Sequence, residues 1–564
     1  MRVMIGCVNG AAVPERPAAD LPGPVSCGPW LRRSRAGAGA WAVAVGLIAL
    51  GTAAWASAAR AELVGTELFE RGWVPDIVVE LGAAEQAALR AAPRSYVPAT
   101  LRQGTSLWHQ VGVHLKGRTS FRPLEDRPSL TVSFDRFVPG QRFYGLAKIH
   151  LHNAADDPTL LNEWLGAELF RAAGIPATRV GLARVRLSRR QLGLYVLKEG
   201  FTPDFLAAHF PPPQGNLYEP VQGNDIDGQM ELVVGRVTDA RATDIEHGLR
   251  ALAQAALDPD PDRRWPRLES VLDLDRFLTF MALEVLLGHR DGYCIARNNY
   301  RVYQPPSPGK TVFLPHGMDV LLGNPDLPVQ PQMAGLVARA VVETPQGRDQ
   351  YRERLNFLLT NLLRADWIAT RIDQRLAALR PSLTRAEARH LAQGAAVVKQ
   401  RLAARAAAVA RQLAEPEPAL LQFEHGVARL GPWRPVDPPA GGHLDQVKTA
   451  DGRQALYVRA GPRTATSWRT RVRLPQGRYR FEGRVQLAGV VPLPYGRNQG
   501  AGLRVIGIGR LPPYNFTGSS AWKMLSLEFS VTQPVTELEL ACELRAAAGE
   551  AWFELESLRL VRLP

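Results

Sequence analysis

A carboxylate, a pair of amides and a second carboxylate follow one another in the middle of this chain. Asp291 closes the triplet His289-Arg290-Asp291, Asn298 and Asn299 come next, and Asp319 ends His316-Gly317-Met318-Asp319. Phosphoryl transfer asks little covalent chemistry of a protein. It needs a cation on the phosphates, carboxylate and amide oxygens on magnesium, and a base beside the attacking hydroxyl. In that scheme Asp291 is the base, Asn298 or Asn299 the amide ligand, and Asp319 the carboxylate ligand. The cation is sought among the lysines, because the chain holds only seven of them against 61 arginines, and a lysine inside a strand then stands out. Lys148 lies on a strand just before a helix carrying Glu163 and Glu168, which makes Glu163 its expected partner and Glu168 the spare. Should Lys148 not be the phosphate-facing cation, Lys116, Arg127 and Lys198 are next in line. "HLKGRTSFR" (114–122) offers backbone amides, Lys116, Arg118 and Ser120 to phosphates, and Glu199 follows the last strand of this region, where an adenine would sit.

The elements that position these residues come in a definite order. "VPDIVVEL" reads as a strand and "EQAALRAA" as a helix; "WHQVGVHLKG", "SLTVSFDRF" and "LAKIHLHN" alternate as strands. "DDPTLLNEWLGAELFRAAGIP" carries an Asp cap, a first-turn Pro and helical spacing with a Gly-Ile-Pro stop. Two strands follow, "ATRVGLARVRL" and "LGLYVLKEG". This is the element order of a protein-kinase N-terminal lobe. The apolar helix "DLDRFLTFMALEVLLGH" then delivers the chain to Asp291, "NNYRVYQPP" and "KTVFLPHGMD" pair as a hairpin, and helices run to about residue 415. In kinases an Asn stands five residues after the His-Arg-Asp aspartate; here it is seven or eight, and Met-Asp-Val replaces Asp-Phe-Gly.

The Pro- and Gly-rich stretch 416–440 reads as a linker. Beyond it, residues 441–564 contain seven short alternating strands, which predict an antiparallel β-sandwich. Trp468, Tyr479, Tyr495, Tyr514 and Trp522 are its candidates for stacking on sugar rings, with core packing as their alternative. At the other end, "LRRSR" precedes an apolar run that exits at Ala59-Arg60-Ala61, the layout of a secretory signal over residues 1–61. That predicts a secreted or periplasmic protein. An uncleaved segment would instead anchor it in the membrane, and no second apolar run of that length follows. The net charge of +14 suits an anionic partner, but the sequence holds no basic helix, zinc finger or RNA-binding aromatic motif, so nucleic acid is not the partner expected. Cys294 and Cys542 make no disulfide framework.

Several stretches in order, "VGVHLKGRTSFRPLEDRPSLTVSFDRFVPGQRFYGLAKIHLHN", "DPTLLNEWLGAELFRAAGIPA", "LGLYVLKEGFTPDFL", "GNLYEP" and "NNYRVY…VFLPHGMDVLLG", resemble the CotH family of spore-coat-type atypical kinases over roughly residues 70–415. The resemblance implies a divergent, two-lobed kinase-like domain (62–415); with the sandwich read from the alternation beyond it, the expected chain is α+β. It implies ATP with Mg2+ or Mn2+ as donor and a protein Ser/Thr as acceptor, with Asp291 similar to the family's catalytic Asp and Asp319 to its metal-binding Asp. Two departures stand out. His316-Gly317 occupies a place where many members have Trp-Asp, and Arg127-Pro128 one where many have Lys before the serine. Two other readings compete: a kinase-like binding protein of the cell surface without turnover, its sandwich engaging polysaccharide, and a metal-dependent hydrolase built on His150, His152, His289, Asp291, His316 and Asp319.

Overall fold

The computed structural model describes residues 64–564 apart from 118–119, 212–214, 222, 236–238, 307, 415–418, 437, 495, 497 and 507–511. The expected secretory segment 1–61, Arg118 and Tyr495 therefore lie outside the described residues. What is described is an α+β chain built around three large cores and a smaller one.

The first unit is a closed barrel. After the short helix α1 (Thr66–Phe69) come β1 (Asp76–Glu80), α2 (Ala83–Ala91), β2 (Val97–Gln103), β3 (Ser106–Lys116), β4 (Ser129–Ser133) and β5 (Lys148–His152). They are followed by α3 (Asn162–Ala172), β6 (Val180–Leu187) and β7 (Arg190–Glu199). The strands close in the order β1-β2-β3-β4-β5-β7-β6, sealed by parallel pairing of β1 with β6. Successive side chains on a strand point to opposite faces. Val111, Val113, Leu115, Leu130, Val132, Ile149, Leu151 and Leu197 fill the barrel. Their neighbours Lys116, Thr131, Lys148, His150, His152 and Lys198 therefore share the outer face.

The "DDPTLL" segment is a loop rather than the first turn of α3. Asp157 folds back on it, accepting from the backbone of Thr159 (3.0 Å) and of Asn162 (2.9 Å), so the cap acts one turn later than the sequence suggested. The second unit begins with α4 (Pro203–His209), β8 (Asn216–Pro220), β9 (Met230–Val234), α5 (Asp239–Ala256), α6 (Pro261–Val271), α7 (Leu274–Leu286) and α8 (Tyr293–Ala296). It continues through β10 (Tyr300–Gln304), β11 (Val312–Pro315), α9 (Leu336–Glu343), α10 (Pro345–Asn361), α11 (Ala365–Leu379) and α12 (Arg385–Ala414). α7 is buried on every side, with Phe277 and Phe280 packed on Tyr293 and Phe313, as expected of a helix apolar all round. The expected hairpin is β10 against β11, Tyr300 opposite Pro315.

Where α7 ends, its last carbonyls need donors. Arg405 of α12, fully buried, supplies them: it bonds the carbonyls of Val285 (2.7 Å) and Leu286 (3.2 Å), and also those of Pro325 (2.8 Å) and Leu327 (2.5 Å). One guanidinium thus braces the segments before Asp291 and after Asp319. Arg405→Met is expected to lower stability by about 1–3 kcal/mol, the cost of leaving buried carbonyls unmatched. Chemical denaturation of the full chain checks this, and an unchanged midpoint would refute it.

The third unit corrects the expected boundary. Residues 416–440 are not a linker throughout. Leu420 bridges to Arg473, β12 (Val427–Arg429) pairs with β20 (Arg559–Leu563), and β13 (Arg434–Val436) pairs with β16 (Thr464–Pro492). The remaining strands are β14 (His443–Lys448), β15 (Gln454–Arg459), β17 (Gln499–Ile506), β18 (Asn515–Phe516) and β19 (Gly518–Glu554). Prolines tolerated at sheet edges gave this segment its linker-like composition, while Trp433, Leu421 and Phe423 pack on the β-rich core. Trp468 and Tyr479 are core residues too, whereas Trp522 reaches Asp451 (3.1 Å) and Tyr514 reaches Glu543 (2.5 Å). A fragment 419–564 should fold alone, but 437–564 should not. Loss of the Trp433 side chain alone costs about 3–5 kcal/mol, a large share of the roughly 5–15 kcal/mol that holds a domain together. A cooperative melt of 437–564 matching that of 419–564 would contradict this.

Candidate functional site

Antiparallel pairing of β5 with β7 sets His150 opposite Lys198. Glu163, in the first turn of α3, meets this row, and its carboxylate lies 2.5 Å from the Lys198 ammonium, both side chains almost wholly buried. The expected Lys148–Glu163 pair is therefore replaced by Lys198–Glu163. Lys148 stands at the start of β5 beside Gly200, where Asp135 and Glu219 are the carboxylates in its electrostatic reach. Burial lowers its pKa.

Lys116, at the end of β3, completes the cationic side. Burial, reinforced by the charge of Lys198, brings its ammonium down to about 7, while Glu163 and Asp319 work in the opposite direction. Burial works against the Glu163 carboxylate as well, but Lys198, His152 and Lys116 hold its pKa below the usual value. One oxygen of Glu163 takes the Lys198 bond; the other is buried with no hydrogen-bond partner.

Asp319 lies against the same cluster. Its backbone carbonyl accepts from the Asn162 side chain (2.8 Å), one residue before Glu163, and its carboxylate is 3.7 Å from His152. Burial and the nearby Glu163 raise its pKa to about 6, with Lys198 opposing. Burial and the charge of Lys116 take His152 the other way, to about 3, so its imidazole is neutral. A magnesium ion held by Asp319 would favour the carboxylate form, so any stabilisation by magnesium is expected to grow as pH rises through about 6. The magnesium-dependent rise in melting temperature should be clear at pH 7.5, small at pH 5, and absent at both in Asp319→Asn. A shift independent of pH, or retained in that variant, would contradict it.

Asp291 reaches the cluster through the segment 316–319. The Asn299 side chain donates to the Asp291 carboxylate (2.8 Å) and to its carbonyl (3.1 Å). The Asn299 carbonyl accepts from the backbone of His316 (3.0 Å), and a Cβ at Gly317 would stand 2.3 Å from the Asn299 side-chain oxygen. Gly317 also has φ +54, which glycine takes without strain. This is a physical reason for glycine here: a side chain would push Asn299 off Asp291. Asn298 donates its backbone N–H to the Gly292 carbonyl (3.4 Å).

Behind the triplet, the buried Glu284 of α7 accepts from the backbone of Tyr293 (3.0 Å) and Cys294 (2.8 Å) and lies 3.6 Å from His289. His289 in turn meets the Gly317 carbonyl (3.1 Å). Burial disfavours its charge, yet Glu284 raises its pKa overall. Glu284 was missed from the sequence; a lone Glu in an otherwise apolar helix was its signal.

Other expected residues lie elsewhere. Both oxygens of Glu199 are engaged by Arg179 (2.6 and 3.0 Å), so this carboxylate is committed to an internal ion pair. Glu168 faces away from the cluster and pairs with Arg171 and Arg371. The Arg127 side chain bonds the Leu194 carbonyl and lies 4.9 Å from the Tyr195 ring. His150 meets Thr131 (3.0 Å). Among the described residues no group of three or more His, Cys, Asp or Glu is placed to hold a metal ion.

Magnesium is a different case, since it takes one or two protein carboxylates and completes its shell with phosphates and water. The residues fit a magnesium nucleotide on their own chemistry. Two lysines crowd one another, and an oxygen of Glu163 is buried without a partner. A group bringing both anionic oxygens and a hard cation answers both conditions.

Residues 113–394 match the family model described as "CotH kinase protein". Invasin CotH3 of Rhizopus delemar is 25% identical over 193 residues, covering 31% of each chain. Invasin CotH7 of the same organism is 27% identical over 182 residues, covering 31% of this chain and 30% of its own. The aligned part thus spans under a third of these relatives' length. Two solved structures are also similar. A TmCBM61 complex with β-1,4-galactotriose is 17% identical over 25% of this chain and 94% of its own, with TM-score 0.19. The CBM22-1 xylan-binding domain of Paenibacillus barcinonensis Xyn10C is 14% identical over 23% of this chain and 85% of its own, with TM-score 0.17.

Proposed function

The chain belongs to the CotH kinase family, and from that premise we propose that it is an ATP-dependent protein kinase, acting outside the cytoplasm on Ser or Thr of a protein. The observation that carries this reading is the buried Lys198–Glu163 pair, which meets Asp319 and Lys116 on one side of the segment 316–319 while Asp291 is tied to the other side by Asn299. ATP, when bound, supplies the phosphoryl group, and its magnesium neutralises the phosphate charge. Lys198 and Lys116 hold the phosphates, and Glu163 keeps Lys198 in place. Asp319 is the metal carboxylate, with an oxygen of Asn298 or Asn299 as the second ligand from this chain. Asp291, oriented by Asn299, accepts the proton of the acceptor hydroxyl. In this reading the barrel is the smaller lobe and the helical unit the larger one of a divergent kinase fold.

The test is transfer of label from γ-labelled ATP, with magnesium or manganese, to the protein itself or to an added protein. Alkali-resistant phosphotyrosine, or no label at all, would count against the Ser/Thr kinase. One observation favours a second reading, a nucleotide-binding protein without turnover. The Asn299 amide is already committed to Asp291, and its oxygen is packed against Gly317. Nucleotide binding without transfer would select that alternative. For the β-rich unit, polysaccharide binding remains the proposed role; with Trp468 and Tyr479 in the core, Trp522 beside Asp451 is its aromatic candidate.

A further inference from the structure

The reverse face of α3, away from Glu163, borders a cleft of about 490 Å³ between α3, α11 and the barrel. Four arginines line it: Arg171, Arg179, Arg371 and Arg375. Their negative charges are few. Glu168 is shared between Arg171 and Arg371, and Glu70 is exposed at the rim. Arg179 engages Glu199 through Nε and Nη2, but its Nη1 is buried and has no hydrogen-bond partner. Arg375 gives its guanidinium to two neutral carbonyls, of Phe69 (2.8 Å) and Val180 (3.4 Å), and lies 5.9 Å from the Trp164 ring. Burial pulls its pKa down to about 10. The carboxylate in its electrostatic reach is Glu168, already shared between Arg171 and Arg371, and a desolvated cation with only a shared anion is costly. A planar guanidinium fork matches the paired oxygens of a phosphate or carboxylate, and the volume is that of an ordinary small-molecule site.

We propose that this cleft binds a small polyvalent anion through Arg371 and Arg375. A ligand held there touches α3 through Arg171 and α11 through Arg375, bracing the helix whose other face presents Glu163. The site stands on these arginines alone and does not depend on the kinase reading.

Titration calorimetry of the full chain, without nucleotide, with pyrophosphate and separately with citrate, tests it. Binding of pyrophosphate alone assigns a phosphate ligand, and binding of citrate alone a carboxylate one. Either is expected to persist in Lys116→Met, which disturbs only the other cleft. Arg375→Met should weaken binding at least tenfold. Because that substitution also removes two buried hydrogen bonds, Arg371→Gln, at a half-exposed side chain, serves as the second variant and should weaken binding severalfold. The proposal is overturned if neither anion binds, or if binding is lost in Lys116→Met and unchanged in Arg371→Gln.

Discussion

Lys198→Met is expected to lower stability by about 3–5 kcal/mol, because it strands the Glu163 carboxylate in a buried position without its charge partner. The exposure of both side chains, 2% and 1%, sets this pair apart from the chain's many surface ion pairs, which contribute about 0–1 kcal/mol each. Denaturant unfolding reads the loss. The double variant Lys198→Met with Glu163→Met should recover much of it, since the stranded charge is then gone. Nucleotide binding distinguishes the functional role from the structural one. At a hundred times Kd, MgADP should stabilise the wild type by about 2.7 kcal/mol, and it should stabilise neither variant. Nucleotide-dependent stabilisation surviving in the double variant would mean that Lys198 is a structural lysine and that the phosphate-facing cation lies elsewhere.

Asp291→Asn is expected to cut phosphate transfer by roughly 10²–10⁴-fold, the usual contribution of a positioned general base. An asparagine keeps the shape, and by turning its amide oxygen toward Asn299 it keeps the 2.8 Å hydrogen bond in kind. The nucleotide-induced thermal shift should therefore stay close to wild type while label incorporation falls. Equal transfer by Asp291→Asn would remove Asp291 from the chemistry, and loss of nucleotide binding in the variant would make it a binding residue instead.

Much of the barrel was legible because its strands alternate strictly. Ile149 and Leu151 point inward and Lys148, His150 and His152 outward, just as a period of two requires. The sequence also placed a carboxylate on the helix after β5. It could not say which lysine that carboxylate meets. That depends on the pairing of β5 with β7, which brings residue 198 level with 150 and leaves 148 two positions away. Such a register comes from sheet closure, not from spacing along the chain. The partner of Glu199 was hidden for a similar reason: Arg179, on the approach to β6, reaches it across the sheet.

The linker expectation failed because composition outweighed pattern. Prolines and glycines at 431–439 suggested a break, yet Leu421, Phe423 and Trp433 were apolar anchors within the same stretch. In the C-terminal unit the alternating runs were real strands, but some of the turns between them do not interrupt pairing. Pro475 and Gly477 both stay in the β16–β19 ladder, so these two strands run to 29 and 37 residues. Arg405 could not have been singled out, because in a chain with 61 arginines nothing local marks it as one that becomes fully buried.

For phosphate transfer, Asp319, Lys198 and Asp291 must serve one cleft. Crystals of the full chain grown with Mn2+ and a non-hydrolysable ATP analogue test this directly, because manganese is located by its anomalous scattering. The expected result is a manganese peak about 2.1 Å from the Asp319 carboxylate, the bond length of a small hard cation to oxygen, with the analogue's phosphates against Lys198 and the terminal phosphate facing Asp291. A manganese ion bound away from Asp319, or a nucleotide seated away from Lys198, would contradict the account.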